Sequence, residues 1–210
     1  MKIIQDILPK DQYVGEVTKK TQIVLHHTVS GVGVQGDINW WKTDKGRVGT
    51  HFIISRKGEV YQMLPLENWI YHLGLTNKNF SSVGLPYKNL DSCSIGIELD
   101  SYGWLKRDAN GGFLTGYKTA FPSTIKPVNV HYRGFTFYED YYEEQVSALK
   151  ELLVYLSQTY KIPLTFDQSI FEINKKALSG VSGVYSHSSY RPDKTDVYPN
   201  ERLINMLKTL

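Results

Sequence analysis

The hydrophobic and polar positions along this chain fall into short strand-like runs, followed by one long helix. Gln22–Leu25 is a short apolar run ending in His26-His27-Thr28, and it reads as a buried strand. A glycine-rich turn from Ser30 to Gly36 follows, with Asp37 as a candidate cap for a short helix through Asn39, Trp40, Trp41 and Lys42. His51–Ser55 and Glu59–Met63 flank Arg56-Lys57-Gly58, the signature of a β-hairpin. Ser94–Leu99 alternates after a polar loop and predicts another strand. Residues 101–137 are rich in aromatics, glycine and threonine, and predict an inserted β excursion. From Asp140 to Tyr160 the apolar positions Val146, Leu149, Leu153 and Leu156 recur at three and four, and Pro163 lies just past the end. Residues 179–199 read as loop, and Asn200 is placed to cap a last helix, Leu203 to Leu210.

Strands mixed with helices predict an α/β fold with a mixed central sheet and helices on its faces. No repeat, linker or low-complexity tract divides the chain. One domain over residues 1–210 is therefore expected, with an insertion at about 101–137.

Composition narrows the classes. At 41% hydrophobic and 21% charged, the chain has the balance of an ordinary globular protein. A net charge of +3 is too mild for a dedicated nucleic-acid binder, although it suits a substrate carrying carboxylates. No run approaches the ~20 apolar residues of a membrane span, and the charged, proline-interrupted N-terminus lacks the apolar core of a signal peptide. No nucleic-acid or membrane partner is expected, and the chain is read as a monomer. Cys93 is the only cysteine, so no intrachain disulfide can form, and it reads as a small buried hydrophobe.

Chemistry can come from six histidines, of which two sit where sites are built. His26 lies at the end of a predicted buried strand, where such sheets deliver side chains to a site. His187 shares a loop with Lys194 and Asp196. Zinc accepts histidine nitrogen and carboxylate oxygen, and catalytic sites use three protein ligands plus a water, so His26, His187 and Asp196 form a candidate set. No short pair such as His-Glu-x-x-His supports them by spacing. His27 points to the opposite face of its strand and reads as a core histidine, with a ligand role as the alternative if the register shifts by one. His51 reads as structural and His131 as a surface residue. Glu98, in an otherwise apolar strand, is a costly buried carboxylate unless a site uses it. Gly31-Val32-Gly33-Val34-Gln35-Gly36 fits a dinucleotide fingerprint, but no acidic residue closes the following strand at the required distance. Tyr102, Trp104, Tyr117, Phe121, Tyr132, Phe135 and Phe137 read as cross-strand packing, with a glycan groove as the alternative. Trp40 and Trp41 are expected to divide between core and surface.

Taken in order, five segments resemble the type-2 N-acetylmuramoyl-L-alanine amidases, a superfamily that includes the peptidoglycan-recognition proteins. They are Val24-Leu25-His26-His27-Thr28, then Gly49-Thr50-His51-Phe52-Ile53-Ile54 with Arg56-Lys57-Gly58-Glu59-Val60-Tyr61-Gln62, Tyr71-His72-Leu73-Gly74, Ser94-Ile95-Gly96-Ile97-Glu98-Leu99, and the loop from His187 through Pro192, Lys194-Thr195-Asp196 and Pro199. The match spans about residues 22–99 and 140–200.

This resemblance implies a zinc-dependent hydrolase that cuts bacterial peptidoglycan between N-acetylmuramic acid and the L-alanine of the stem peptide. It puts His26, His187 and Asp196 on the ligand positions of one Zn2+ ion, Glu98 on the general base and Lys194 on the oxyanion-stabilising lysine. His72 and Thr50 fall on pocket positions and are read as substrate contacts, Thr50 standing where some members have tyrosine. After Lys194, the usual Asp-Pro-Gly becomes Asp196-Val197-Tyr198-Pro199. The rival expectation is a recognition module that binds peptidoglycan without cutting it. The expected context is a phage or prophage endolysin held in the host cytoplasm until released to the wall, with a cytoplasmic recycling amidase as the alternative.

Overall fold

A computed structural model describes residues 1–210. In chain order it contains β1 (Ile3–Gln5), β2 (Gln22–His27), α1 (Gln35–Trp41), β3 (Phe52–Ile54), β4 (Val60–Gln62), α2 (Asn77–Ser81) and β5 (Ser94–Leu99). Then come β6 (Trp104–Arg107), β7 (Phe113–Leu114), β8 (Pro127–Tyr132), β9 (Phe135–Glu139) and α3 (Glu143–Tyr160). The chain closes with α4 (Lys175–Ser179), β10 (Gly183–Ser186) and α5 (Glu201–Leu207).

Six strands form the main sheet in the order β1-β4-β3-β5-β2-β10. β10, β2, β5 and β3 run parallel, and the predicted hairpin turns β4 antiparallel to β3. All six positions of β2 are buried. A parallel strand covered on both faces must be apolar without alternation, which is why this run was readable. β2 lies between β5 and β10, and its parallel register pairs His26 with Glu98 and His27 with Leu99. Paired residues share a face, so His26 and Glu98 stand side by side while His27 turns away.

The two faces are covered unequally. α3 lays Val146, Leu149, Leu153 and Leu156, the stripe its spacing predicted, into the larger core together with Leu152. Ile53, the partner of Glu98, joins a smaller cluster with Ile38 and Trp41 of α1. At seven residues α1 is short, and on this face a cleft stays open at the carboxyl ends of β2 and β5.

Residues 104–139 form a separate antiparallel sheet, β7-β6-β9-β8. Most of its aromatics pack within it: Trp104 stacks on Phe135 at 4.1 Å, and Phe113 meets Phe137 edge-on. Glu139 fastens this sheet to the main one. Its carboxylate accepts two hydrogen bonds from the buried Arg56 guanidinium, at 2.7 and 2.9 Å.

Several expectations are corrected. Asp37 does not cap α1; Val34 occupies that position, and Asp37 accepts a hydrogen bond from Ser30 instead. The long helix begins at Glu143 rather than Asp140. The stretch read as loop contains β10, a four-residue edge strand whose pairing to β2 was invisible locally. β1, α2 and α4 were also missed; each has only three to five residues, too few to show a period. Cys93 is half-buried, with its thiol directed at the Leu90 carbonyl at 3.5 Å. Asn200 does cap α5, accepting from the Leu203 N–H at 3.0 Å. No helix is long and apolar enough to cross a membrane.

Candidate metal centre and catalytic cleft

Three parallel strand ends build the site. His26 comes from the end of β2, Glu98 from β5, and His187 directly follows β10. Asp196 is brought in by the returning loop; Ser188 N–H donates to its backbone carbonyl at 3.0 Å. His26 Nδ1 and His187 Nδ1 lie 3.0 Å apart, and Asp196 Oδ2 is 3.2 and 2.9 Å from them.

For neutral rings, the surrounding hydrogen bonds assign the tautomers. Ser94 donates its hydroxyl proton to the Leu90 carbonyl at 2.7 Å, so its oxygen must accept from His72 Nε2–H, 2.8 Å away. His72 Nδ1 is then a lone pair, and it accepts from His26 Nε2–H at 3.0 Å. That leaves His26 Nδ1 bare. His187 Nε2–H donates to the Leu73 carbonyl at 3.0 Å, which leaves His187 Nδ1 bare as well. With both imidazoles in the neutral form that a metal binds, two nitrogen lone pairs and a carboxylate oxygen converge with no proton among them. Three acceptors this close repel one another unless a cation lies between them, and borderline N/O donor sets of this kind suit zinc. The residues fit a divalent metal.

Electrostatics agree. Burial depresses His26 to about 4, aided by the nearby His187 and opposed by Asp196, so His26 is neutral at physiological pH. His72 is pushed well below its ordinary range, first by burial and then by His26. Burial works to raise Asp196, but His187 and His26 outweigh it and hold the carboxyl well below the usual carboxylate range. Neutral imidazoles and an ionised carboxylate are the ligating forms.

Glu98 stands beside the triad. Its Oε2 is enclosed and has no hydrogen-bond partner. Burial pushes its pKa well above the ordinary value, and the charges of Asp196 and Asp37 push it further. A carboxyl kept unpartnered next to a ligand set is available for proton transfer.

These groups line one cleft of about 530 Å³, together with Lys194, Thr28, Asp37, Trp40, Thr50, His72 and Tyr117. The structure thus brings every sequence-predicted site residue into the same cavity. Thr50 is buried and donates to the Phe52 carbonyl at 2.8 Å. His72 has both ring nitrogens engaged inside the protein, in the chain from Ser94 to His26. His27 packs behind the site, with Nδ1 2.8 Å from the Tyr141 hydroxyl. His51 bridges the Asn68 carbonyl and the Gly96 N–H, at 3.1 and 3.2 Å.

Sequence reasoning missed Ser94 and Asp91. Asp91 accepts from the backbone N–H groups of His72 and Leu73, both at 2.8 Å, and so anchors the segment that bonds to His26 and His187. A serine and an aspartate near a strand start carry no local signal of such a role. Asp37, pushed up to about 6 chiefly by burial, was read only as a helix cap.

Together the fold and the cleft define a class: an α/β protein with a His-His-Asp centre and an unpaired glutamate at the carboxyl ends of parallel strands. The chain belongs to the N-acetylmuramoyl-L-alanine amidase family, whose family model, Amidase_2, matches residues 17–199. Among solved structures, the fold is similar to a mutant endolysin from Bacillus subtilis, at 20% identity and a TM-score of 0.56, covering 100% of this chain and 97% of that one. It is also similar to the catalytic domain of XlyA, at 19% identity and a TM-score of 0.56, covering 100% and 98%. The N-acetylmuramoyl-L-alanine amidase LysC from Clostridium intestinale URNW matches at 16% identity and a TM-score of 0.52, covering 100% and 96%. Identities this low establish likeness of fold alone. No curated protein matches the chain.

Proposed function

We propose that this peptidoglycan amidase is zinc-dependent and acts as an endolysin, cutting the amide between N-acetylmuramic acid and L-alanine in the bacterial wall. The observation that carries the reading is the convergence of three proton-free ligand atoms, on His26, His187 and Asp196, beside the unpartnered carboxyl of Glu98. A zinc ion held there supplies Lewis acidity toward an amide carbonyl and acidifies water, which a poor electrophile such as an amide requires.

The remaining steps belong to the chain. Glu98 accepts a proton from the attacking water and returns it to the leaving amine nitrogen, which departs as the free amino group of L-alanine. The Lys194 ammonium, in the same cleft, steadies the charge that develops on the carbonyl oxygen. The His72–Ser94 chain holds His26 in the ligating tautomer. Names of fold neighbours that include endolysins support a lytic role at the wall.

Digestion of purified peptidoglycan, with and without a chelator, tests this reading by mass spectrometry of the products. Free stem peptides beginning at L-alanine, lost on chelation and restored by zinc, are expected. Cleavage that persists in chelator overturns the zinc assignment. Zinc binding without any cleavage leaves only a recognition module.

A further inference from the structure

Three aromatic residues line the cleft without a part in the chemistry above, and two of them are exposed. Trp40 and Trp41 are neighbours on α1 and both line the cleft, yet Trp41 is 4% exposed and locked into the smaller core while Trp40 is 53% exposed. Tyr117 lines the same cleft from the second sheet and is 73% exposed.

Tyr117 is carried on a built turn. Thr115 N–H donates to the Thr119 carbonyl at 2.9 Å, Lys118 N–H donates to the Thr115 carbonyl at 2.9 Å, and the two threonine hydroxyls meet at 2.7 Å. The turn is seated against the cleft floor through Gly116. A Cβ there would lie 3.1 Å from Val29 and 3.2 Å from Trp104, so only glycine permits this approach without displacing them. Val29 is itself a cleft residue, directly following the strand and Thr28 that lead out of the site. The other aromatics of the second sheet pair with one another; Tyr117 has no aromatic partner.

We propose that Trp40 and Tyr117 form a saccharide subsite, taking a sugar of the glycan strand next to the muramyl residue whose stem peptide is cut. The proposal rests on the peptidoglycan reading above. A pyranose ring has an apolar C–H face and a polar rim, and an aromatic ring in an open cleft buries the first while leaving the second in water. Two such rings, held by separate elements at one cleft, supply grip on a polymer that the ligand triad and Glu98 do not.

The test is titration of chitotetraose, a peptide-free sugar oligomer, against the intact chain by calorimetry. Wild type, Trp40→Ala, Tyr117→Ala and Tyr117→Phe are compared, and each variant's fold is checked by circular dichroism. Both alanine variants are expected to bind at least about fivefold more weakly, and Tyr117→Phe, which keeps the ring, to bind as wild type does. Absence of binding by wild type, or equal binding by the alanine variants, overturns the subsite. Peptidoglycan cleavage by wild type is measured alongside. Sugar binding without cleavage removes the amidase reading and leaves the subsite standing, whereas cleavage without sugar binding does the reverse.

Discussion

At the scale of single residues, the site depends on where protons are absent. Glu98 is a carboxyl with an enclosed, unpartnered oxygen, raised by burial and by its anionic neighbours. Glu98→Gln keeps its shape and removes its proton chemistry. Activity on peptidoglycan is expected to fall by about 10²- to 10⁴-fold with zinc stoichiometry unchanged, as read by rate assays beside metal analysis. Retained activity would remove Glu98 from proton transfer. His72 acts through His26 rather than on it as a ligand, because its own nitrogens are spent on Ser94 and His26. Ser94→Ala frees the His72 tautomer and therefore the His26 tautomer. Zinc affinity should drop by about 10- to 100-fold in a chelator competition, and an unchanged affinity would show that the chain of hydrogen bonds does not matter.

Elements contribute by register and by close approach. The parallel pairing of β2 with β5 sets His26 beside Glu98, and a slip of one residue would turn one of the two to the opposite face. Gly96, in the middle of β5, keeps that geometry open: a Cβ there would meet Thr50 at 2.9 Å and the His72 ring at 3.1 Å. Gly96→Ala is expected to shift His72 and weaken zinc binding together with stability, measured by competition titration and urea denaturation. Loss of neither would mean the packing relaxes freely. At the far end of the chain, Asn200 caps α5 with a single well-formed bond. Asn200→Ala removes this cap and the amide's bonds to Asp140 and the Tyr198 hydroxyl, and should cost at least about 1 kcal/mol in urea denaturation.

For the whole molecule, burial of neutral histidines couples folding to pH. Burial lowers His27 to about 4 and His51 to about 3, against an unfolded value of 6.5. Above 6.5 both are neutral in the folded and the unfolded chain, so neither affects stability there. As pH falls below that value, the unfolded chain takes up protons that the folded chain refuses. Each histidine then removes about 1.4 kcal/mol per pH unit until its folded value is reached. Glu98 acts with the opposite sign: the folded chain keeps a proton that the unfolded chain releases, so its contribution grows as pH falls toward 4.5. Four buried histidines, His26, His27, His51 and His72, act in the destabilising direction across this range, against the raised carboxyls of Glu98, Asp37, Asp91 and Asp100, of which Asp37 acts only below about 6. The urea midpoint in chelator should therefore fall from pH 6.5 to pH 4, and a flat or rising midpoint would contradict the buried neutral histidines. If the folded triad binds zinc as proposed, the metal should raise the thermal midpoint, by the equivalent of about 2.7 kcal/mol at a hundred times its Kd.

The sequence by itself determined the long runs and the chemistry they deliver. β2 was legible because a strand buried on both faces must be continuously apolar, and α3 because an amphipathic helix repeats its apolar stripe over many turns. His26 and Glu98 stood out as polar residues at positions where burial is costly, and the ordered segments pointed to His187, Asp196 and Lys194. Tertiary structure alone decided the rest. β10 reads as loop because four residues show no period, and it becomes a strand only by pairing with β2. Ser94 and Asp91 gain their roles from hydrogen bonds to a histidine segment some twenty residues away, which no local pattern encodes. Likewise, the second sheet brings Tyr117 to the cleft that holds Trp40, because a docked glycine turn allows an approach that depends on the shape of both partners. Local periodicity records what a residue's own element needs, whereas proton positions and cleft walls depend on contacts between residues far apart along the chain.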